Sequence, residues 1–492
     1  MKNTKQMTAL ILLAAMLSAC GESGAPADTP GSSDVPDTTT APADPAEVDE
    51  LPALDFGGED FVISVQDYGA YTGRDLFVEE ATGDVVDDAI YAKNQAVSER
   101  LNVNLVFDPI THYWNDRNDY MTRIRSSVMA GDAAWDMIFG LGYFLPGFTG
   151  EGILADMSGL PYIDLSKKWW NSSFMEAASV DGKYYFVTGD AALTLIKNMF
   201  CTFVNLDLYD KLGVKENLYD IVKSGDWTLD KAAEICAPLY ADLNGDTTVD
   251  KDDQFGLLYY ANNQATGFFE ACGVDIIDRE GKDFTFDFGN AHNADVVERL
   301  CRFFHESEGI FYDPNQGGET ETVVNSPFRN GNALMTGGWL MHADSYRDLN
   351  FRYGVLPYPK FDENQAEYHT TTLTSYTVFC VPADCKAPDR TAAVLEAMAS
   401  ESWRSVTPAY FETALKVKYA ADDETAQMFD LIRDNISFDF GYIYTLSMNG
   451  ISDQFKTAVN NNKPEWASNV AGFEASAVDS LDKLLTTIRD VE

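Results

Sequence analysis

The sequence has little positive charge and few of the residues that metal sites and nucleophilic enzymes use. Its 35 Lys and Arg residues stand against 78 Asp and Glu residues, which gives a formal net charge of −43. A surface this acidic repels phosphate backbones and anionic lipid, so we expect no nucleic-acid partner. There are five histidines, and the pair His305-Glu306 lacks the second histidine of a zinc-protease helix.

Other catalytic signatures are absent as well. The chain has no G-x-S-x-G elbow, no Walker loop and no dinucleotide fingerprint. Its seven cysteines include no C-x-x-C pair, which excludes zinc and redox motifs of that kind. Cys380 and Cys385 could form a short disulfide bridge, but buried free thiols fit equally well. A glycosidase needs two facing carboxylates, and the 78 acidic residues could supply such a pair. A surface-anchored carbohydrate-active enzyme is therefore kept as an alternative function.

The one long apolar run lies at the N-terminus. Lys2 and Lys5 precede the apolar residues 7–16, and this run is too short for a bilayer, which needs roughly 20 residues. Residues 17–20 (LSAC) resemble a bacterial lipobox, in which the cysteine receives a lipid. We therefore predict a lipoprotein signal peptide over residues 1–20 with lipidation at Cys20. An ordinary signal peptide with a chance cysteine is the alternative.

Residues 21–50 are mostly Pro, Asp, Thr, Ala and Ser and have no apolar period. Such a segment cannot form a core, so we predict a disordered tether that holds the rest of the chain clear of the membrane. The expected location is the extracellular face of the bacterial cell membrane. Roughly 440 residues follow, too many for a single core and suited to two lobes or domains.

The remaining chain alternates strands and helices. Strand patterns cover residues 61–66, 103–107 and 136–139, and helical patterns cover residues 87–101 and 119–130. Strands that alternate with helices of this length indicate βαβ units and a parallel sheet. Further helices are predicted over 229–241, 409–417 and 468–491. The predicted fold class is α/β.

An acidic segment at residues 242–253 has the spacing of a calcium-binding loop. Oxygen ligands at loop positions 1, 3, 5, 9 and 12, with a carbonyl at position 7, suit a hard cation. The predicted calcium ligands are Asp242, Asn244, Asp246, the Thr248 carbonyl, Asp250 and Asp253.

Two residues depart from the usual pattern of such loops. Thr247 stands where glycine is expected, and Asp253 is shorter than the usual glutamate. We expect Val249 to pin the loop to the core and the calcium ion to be structural. A solvated acidic turn is the alternative.

Three segments carry a resemblance to a known family. Residues 328–339 (FRNGNALMTGGW) look like the F-x-x-G-x-A-A-M-x-x-x-G-x-W stretch of extracellular solute-binding proteins of the maltose-binding type. The match departs at Leu334, which replaces an alanine, and the run from Met335 to Trp339 is two residues shorter. Residues 353–360 (YGVLPYPK) and 226–230 (DWTLD) resemble two further family segments.

The resemblance implies a two-lobe periplasmic-binding-protein-like fold with hinge strands and a central ligand cleft. Mapped onto this chain, the first lobe covers residues 51–188 and 370–402. The second lobe covers residues 189–369 and 403–492. Hinge closure around a ligand between two lobes belongs to the known repertoire of domain motion.

The implied ligand is a carbohydrate, and an oligosaccharide is the preferred size. Sugars present hydroxyls to carboxylates and amides, and C–H faces to aromatic rings, of which this chain has 24 Tyr and 8 Trp. The family holds its ligand on loops at the carboxyl ends of strands. On that basis the predicted ligand-binding residues are Trp339, Trp114, Tyr143, Trp169, Trp170, Gln66, Asp67, Asp190 and Asp344. Each of the less certain residues could instead be core or cap.

The resemblance also implies a partner. A binding protein of this type delivers its ligand to the membrane permease subunits of an ABC importer, without catalysis and usually as a monomer. A capture lobe that feeds a sensor would have the same sequence features, so that alternative remains open.

Overall fold

The computed structural model describes residues 48–68, 75–112, 114–261, 263–313, 326–411 and 423–490. The predicted signal peptide, Cys20 and the tether up to residue 47 lie outside these residues. The last residues of the predicted tether belong to the fold, because Asp49 is buried and accepts a 2.7 Å hydrogen bond from Arg100 Nη1. The folded part therefore starts before Leu51, where the sequence pattern alone set its boundary.

Eleven strands occur in the described part of the chain. They are β1 (Glu59–Asp67), β2 (Val103–Thr111), β3 (Met137–Leu141), β4 (Phe200–Asn205), β5 (Phe255–Tyr260), β6 (Ile277–Glu280), β7 (Asp283–Phe286), β8 (Ile310–Asp313), β9 (Ala333–Trp339), β10 (Tyr353–Leu356) and β11 (Thr377–Cys380).

The helices cover both flanks of the strands and dominate the C-terminal third. They are α1 (Val85–Leu101), α2 (Arg117–Ala130), α3 (Ser172–Ala178), α4 (Thr194–Lys197), α5 (Leu206–Leu212), α6 (Leu218–Lys223), α7 (Leu229–Cys236), α8 (Phe268–Ala271), α9 (Ala291–His305), α10 (His342–Tyr346), α11 (Pro388–Arg404), α12 (Val406–Pro408), α13 (Asp423–Asp434), α14 (Phe440–Ile443), α15 (Asp453–Asn460), α16 (Trp466–Ala471) and α17 (Glu474–Asp490). Short 3₁₀ turns lie at Trp114–Asp116, Leu145–Glu151, Ala237–Leu239 and Gln264–Gly267.

The first sheet has the strand order β11-β3-β1-β2. Strands β2, β1 and β3 are parallel, and β11 runs antiparallel to β3 at one edge. Helix α1 connects β1 to β2 and begins at Asp84, whose carboxylate accepts from the amide of Val86 at 3.0 Å. The βαβ pattern predicted from the sequence is confirmed here, because the crossover helix returns the chain to a parallel neighbour.

The second sheet has the strand order β10-β4-β9-β5-β8. Strand β5 is parallel to both β8 and β9, whereas β4 is antiparallel to β9 and β10. The α/β class is thus confirmed. Strands β6 and β7 form a separate hairpin.

Two stretches of chain pass between the sheets. Val187 bridges to Phe379 beside the first sheet, and Met199, one residue before β4, bridges to Thr372. The outgoing stretch 187–199 and the returning stretch 372–379 therefore run side by side. The lobe boundaries drawn from the sequence stay a prediction, although the strands of residues 51–188 and 370–402 all lie in the first sheet.

Several predicted elements have different ends in the structure. The helix predicted over 229–241 stops at Cys236 and continues as the 3₁₀ turn Ala237–Leu239, because Pro238 cannot donate to the preceding turn. The helix predicted over 468–491 is two helices, α16 and α17, which meet at Gly472. Most of the helix predicted over 409–417 lies outside the described residues.

The six cysteines after Cys20 are all free thiols, so Cys380 and Cys385 are not bridged. Five of the six are buried. No helix in the described residues combines the length and the apolar character that a membrane crossing requires.

Candidate functional site

Gln66 lies at the carboxyl end of β1 and ties three strand ends together. It is fully buried, its Nε2 lies 2.7 Å from His112 Nε2, and its Oε1 accepts from the amide of Leu141 at 2.7 Å. Gly140 makes room for it, since a Cβ there would lie 2.5 Å from Gln66 Oε1. The side-chain amide of Gln66 therefore bonds within the first sheet, where it fixes the ends of β2 and β3.

Tyr143 follows β3 and is half-buried. Burial raises the pKa of its phenol, the nearby Asp453 carboxylate adds to that rise, and Arg117 opposes it. Lys456 pairs with Asp453 at 2.8 Å and donates to Asn263 Oδ1 at 3.1 Å. Polar groups from the first sheet, from the end of β5 and from α15 thus meet near one aromatic ring.

The sequence predicts Tyr143 as a ligand-binding residue, but it does not indicate the charged residues around it, Arg117, Asp453 and Lys456. Asn263 follows the carboxyl end of β5, so the strand-end rule could have found it had β5 been recognised. Asp453 and Lys456 lie almost 200 residues further along the chain, and no local pattern points to them.

Trp339 ends β9 and is 3% exposed. Its ring packs at 5.6 Å against Phe200 and at 4.3 Å against His342. Gly338 permits this packing, because a Cβ there would lie 2.6 Å from His342 Nδ1. Burial lowers the pKa of His342 to about 3, so the imidazole is neutral at physiological pH.

Two polar nitrogens of this aromatic pair are buried without a hydrogen bond. Neither Trp339 Nε1 nor His342 Nδ1 has a partner among the described residues. An unpaired buried donor costs about 1–3 kcal/mol, so such groups call for an explanation. Gln264 donates to the carbonyl of Gly337 at 2.8 Å, which places the ends of β5 and β9 at one edge of the second sheet.

Trp169 and Trp170 are 1% and 3% exposed. Their indole nitrogens donate to the two carboxylate oxygens of Glu396 on α11, at 3.1 Å and 2.9 Å. Burial raises the pKa of Glu396 to about 7. Trp169 is therefore enclosed in the core with its polar end occupied, and its ring offers no face for a sugar to stack on in this structure.

Asp190 lies beside Trp170 in a cavity of about 480 Å³. Its side chain is 11% exposed and lies 3.7 Å from Arg433 Nη2. Burial raises its pKa to about 6, and the charge of Arg433 opposes that rise. The structure thus brings the predicted residues Asp190 and Trp170 together at one cavity.

Seven of the predicted residues form two groups along the first sheet, one beside β11 and one at the carboxyl ends of β1, β2 and β3. Trp170 bridges to Gly189, and Val187 bridges to Phe379 on the outer side of β11, whereas Asp67 ends β1 beside β2. Four strand spacings separate Val187 from β2, which is roughly 19 Å. We call these the hinge group (Trp169, Trp170 and Asp190) and the front group (Gln66, Asp67, Trp114 and Tyr143). One sugar ring cannot span both.

Of the other predicted residues, Asp67 and Asp344 are partly exposed, and the side chain of Trp114 is not among those that the structure describes. Asp67 is partly exposed and accepts from Thr111 Oγ1 at 2.7 Å. Asp344 is half-buried on α10. Trp114 begins a 3₁₀ turn, and its side chain lies outside the described residues.

The acidic loop 242–253 is built by hydrogen bonds to its own amides. Asp242 accepts from Gly245 at 2.6 Å and from Thr247 at 3.0 Å, and Asp246 accepts from Thr248 at 2.7 Å. Thr247 has φ of 64°, the left-handed turn for which glycine was expected at that position. The loop therefore has the predicted turn in spite of the threonine.

The loop is anchored differently from the prediction. Val249 is 59% exposed, so it does not pin the loop to the core. Asp253 does so instead, because it is fully buried and accepts from Tyr240 Oη at 3.1 Å. In the described residues, His, Cys, Asp and Glu side chains form no group of three that could hold a metal ion.

The sequence matches a family profile described as bacterial extracellular solute-binding protein, over residues 110–403. No curated protein is similar enough in sequence to count as a relative. The matched segment covers more than half of the chain and includes β3 to β11.

Solved structures resemble the chain over most of its length. An ABC substrate-binding protein of Listeria monocytogenes, in complex with cycloalternan, is 15% identical, with a TM-score of 0.52 over 88% of this chain and 99% of its own. The GacH receptor of Streptomyces glaucescens, also solved with acarbose, has 15% identity, a TM-score of 0.54 and coverage of 88% and 100%. A galacto-N-biose/lacto-N-biose I-binding protein of Bifidobacterium longum has 12% identity, a TM-score of 0.54 and coverage of 87% and 98%. These similarities confirm the predicted two-lobed fold.

Proposed function

Since this chain belongs to the family of bacterial extracellular solute-binding proteins, we propose that it captures a carbohydrate between two lobes and delivers it to the permease subunits of an ABC importer. The three similar proteins were solved in complex with cycloalternan, acarbose and lacto-N-biose, respectively. We further propose that Cys20 carries the lipid that holds the protein at the outer face of the membrane. Family members bind solutes rather than transform them, which supports a receptor over an enzyme.

The observation that carries this proposal is the pair Trp339 and His342 at the end of β9. Both rings are buried, and both have a nitrogen without a hydrogen bond in the described residues. A sugar hydroxyl that reaches this edge of the second sheet can satisfy such a nitrogen. The polar groups near Tyr143 would supply further hydroxyl contacts on the facing lobe.

Replacing Trp339 with phenylalanine is expected to weaken carbohydrate binding at least tenfold, because the variant loses the indole N–H and part of the ring face. Tenfold corresponds to about 1.4 kcal/mol. The affinity is measured by calorimetry on the purified protein, after a thermal-shift screen with maltotetraose, acarbose, cycloalternan and lacto-N-biose. A ligand at a hundredfold excess over its dissociation constant stabilises the native state by about 2.7 kcal/mol.

The matched control is Trp135→Phe. Trp135 is also buried, but its indole donates to Asp108 at 2.8 Å, so the change should leave sugar affinity within twofold. Equal affinities for Trp339→Phe and the wild type would remove Trp339 from the binding site. Consumption of a sugar during the titration would favour the carbohydrate-active enzyme, and no shift with any sugar would favour another class of solute.

We also propose that the loop 242–253 binds a structural calcium ion. Asp242, Asn244, Asp246, Asp250, Asp253 and the carbonyl of Thr248 would hold it, and all of these are the oxygen donors that calcium prefers. The amide-bonded turn and the left-handed Thr247 support this assignment. The ion would supply positive charge among four carboxylates that otherwise repel each other.

EDTA is expected to lower the melting temperature of the wild-type protein, and added calcium should restore it. Asp242→Ala removes a proposed ligand and should make the melting temperature insensitive to EDTA. Asp252→Ala is the control, because Asp252 is an exposed neighbour in the same loop whose carboxylate pairs with Lys251. A wild-type melting curve unchanged by EDTA would identify the segment as a solvated acidic turn.

A further inference from the structure

A cavity lies beside the hinge, and neither Trp339 nor Tyr143 is among the residues that line it. Three parts of the chain line it. They are residues 165–173, residues 190–199 of the outgoing stretch, and Trp403 with residues 433–436 near the C-terminus. It measures about 480 Å³, within the usual range of small-molecule sites. All of its lining residues belong to the described part of the chain.

The floor of the cavity is apolar. Leu195, Ile196, Met199 and Ile436 line it and are buried, together with the ring of Trp170. The indole nitrogen of Trp170 is occupied by Glu396, so the tryptophan offers the cavity only its ring surface. A ligand here must therefore bring an apolar body.

One strong polar group interrupts this floor. Asp190 Oδ2 is buried and makes no hydrogen bond with the described residues. Its nearest cation is Arg433 at 3.7 Å, which is too far for a hydrogen bond. The nearby Thr407 hydroxyl lowers the pKa of Asp190, but its oxygen has no hydrogen-bond partner among the described residues either. The carboxylate is thus able to accept a closer donor from a ligand.

The guanidinium of Arg433 packs against two aromatic rings. Its guanidinium lies 5.0 Å from the ring centre of Trp403 and 5.2 Å from that of Phe411. Cation–π contacts at these distances hold the guanidinium against the rings. Lys167, also at the cavity, pairs with Glu50 at 2.7 Å. Lys168 lines the cavity as well. Among the described residues, no lysine or arginine nitrogen lies within hydrogen-bond range of Asp190 Oδ2.

The position of Asp190 is fixed by the backbone. Gly189 lies against the carbonyl of Trp169, where a Cβ would come within 2.0 Å of that oxygen. The amide of Asp190 then donates to the same carbonyl at 2.9 Å. Only glycine permits this approach, and it places the Asp190 side chain next to Trp170.

We propose that this hinge cavity is a second binding site, for an organic ammonium ion with an apolar body. The ammonium group donates to Asp190, and the body packs on Trp170, Trp403 and the aliphatic floor. A charged hydrogen bond of this kind is about twice as strong as a neutral one. The lining of this cavity shares no residue with the Trp339–His342 pair or with Tyr143, so the proposal does not depend on carbohydrate binding there.

The test uses 2-phenylethylammonium as the probe and 2-phenylethanol as its neutral counterpart. Binding to the full protein at pH 7.5 is followed by calorimetry and by tryptophan fluorescence. We expect the amine to bind at least tenfold more tightly than the alcohol, and Asp190→Asn to weaken amine binding at least tenfold. Trp403→Leu, at a partly exposed position, should weaken it at least threefold.

Two further variants decide where the amine binds. Trp339→Phe and Asp344→Asn lie at the other site and should leave amine affinity within twofold. Equal binding of amine and alcohol, or full affinity in Asp190→Asn, would overturn the proposal. So would a loss of amine binding in Trp339→Phe. If Asp190→Asn fails to fold, as judged by its melting curve, unchanged affinity in Trp403→Leu would overturn the proposal instead.

Discussion

Replacing Glu396 with alanine is expected to lower the free energy of unfolding by about 2–5 kcal/mol. Its carboxylate is the acceptor for the buried indoles of Trp169 and Trp170, and alanine leaves both N–H groups without a partner. Each buried donor left unpaired costs about 1–3 kcal/mol, and the lost side-chain volume leaves a cavity that adds to the cost. Chemical denaturation at pH 6, below the raised pKa of Glu396, measures the difference.

The matched control is Glu401→Ala on the same helix. Glu401 pairs with Arg404 in a partly exposed position, so its loss should cost less than about 1 kcal/mol. Glu396→Gln keeps one acceptor and should fall between the wild type and Glu396→Ala. A loss for Glu396→Ala no larger than that for Glu401→Ala would mean that the two indoles find other partners, and that Trp170 can turn toward a ligand.

The sequence predicts the first sheet well because its elements carry local signals. Strand β1 has a dense apolar run, and α1 has its capping aspartate and an apolar stripe, so periodicity locates both within a few residues. The second sheet is harder to predict. Residues 255–260 of β5 (FGLLYY) are continuously buried, and a short apolar run cannot be assigned to strand or helix by periodicity.

The candidate site is likewise predictable where the signal is local and unpredictable where the contacts join residues distant in sequence. The strand-end rule leads to Tyr143 and Trp339 as predicted ligand-binding residues, but it cannot distinguish a side chain facing a ligand from one tying strands together. Gln66 illustrates this, since its neighbours His112 and Leu141 are 46 and 75 residues away in sequence. Trp169 and Trp170 were predicted to bind sugar because tryptophan suits that role. In the structure their indole nitrogens donate to Glu396, which is more than 220 residues distant and which no local pattern indicates.

A pair of buried carboxyls near α8 makes stability depend on pH. Glu270 is 8% exposed and accepts from Ser437 Oγ at 2.8 Å. Burial raises its pKa well above the ordinary value, and the charge of Asp439 adds to the rise. Burial likewise raises the pKa of Asp439 to about 7, although its oxygens accept from the amides of Ile276, Ile277 and Tyr442.

The sign of the effect follows from proton binding in the two states. A carboxyl whose pKa is higher in the folded protein binds more protons when folded, so stability falls as pH rises. The contribution of Glu270 is complete below its unfolded pKa, near 4.3, and is lost as pH rises through its folded pKa. His342 has a lowered pKa of about 3, so its stability contribution rises with pH up to about 6.5. The stability contribution of His342 therefore changes with pH in the opposite direction to the contributions of Glu270 and Asp439.

Glu270→Gln is therefore expected to stabilise the protein at pH 8 by at least about 1.4 kcal/mol, the equivalent of one pKa unit, and much less at pH 5. The glutamine keeps the contact with Ser437 and removes a charge that cannot be solvated. Because His342 is present in both proteins, the difference between variant and wild type isolates the carboxyl. Urea unfolding at the two pH values measures that difference, with Glu298→Gln on α9 as the control at a 56% exposed side chain. A difference that does not change between pH 5 and pH 8 would mean that Glu270 has the same pKa in the folded and the unfolded protein. A variant less stable at both pH values would mean that both oxygens of Glu270 are needed as acceptors.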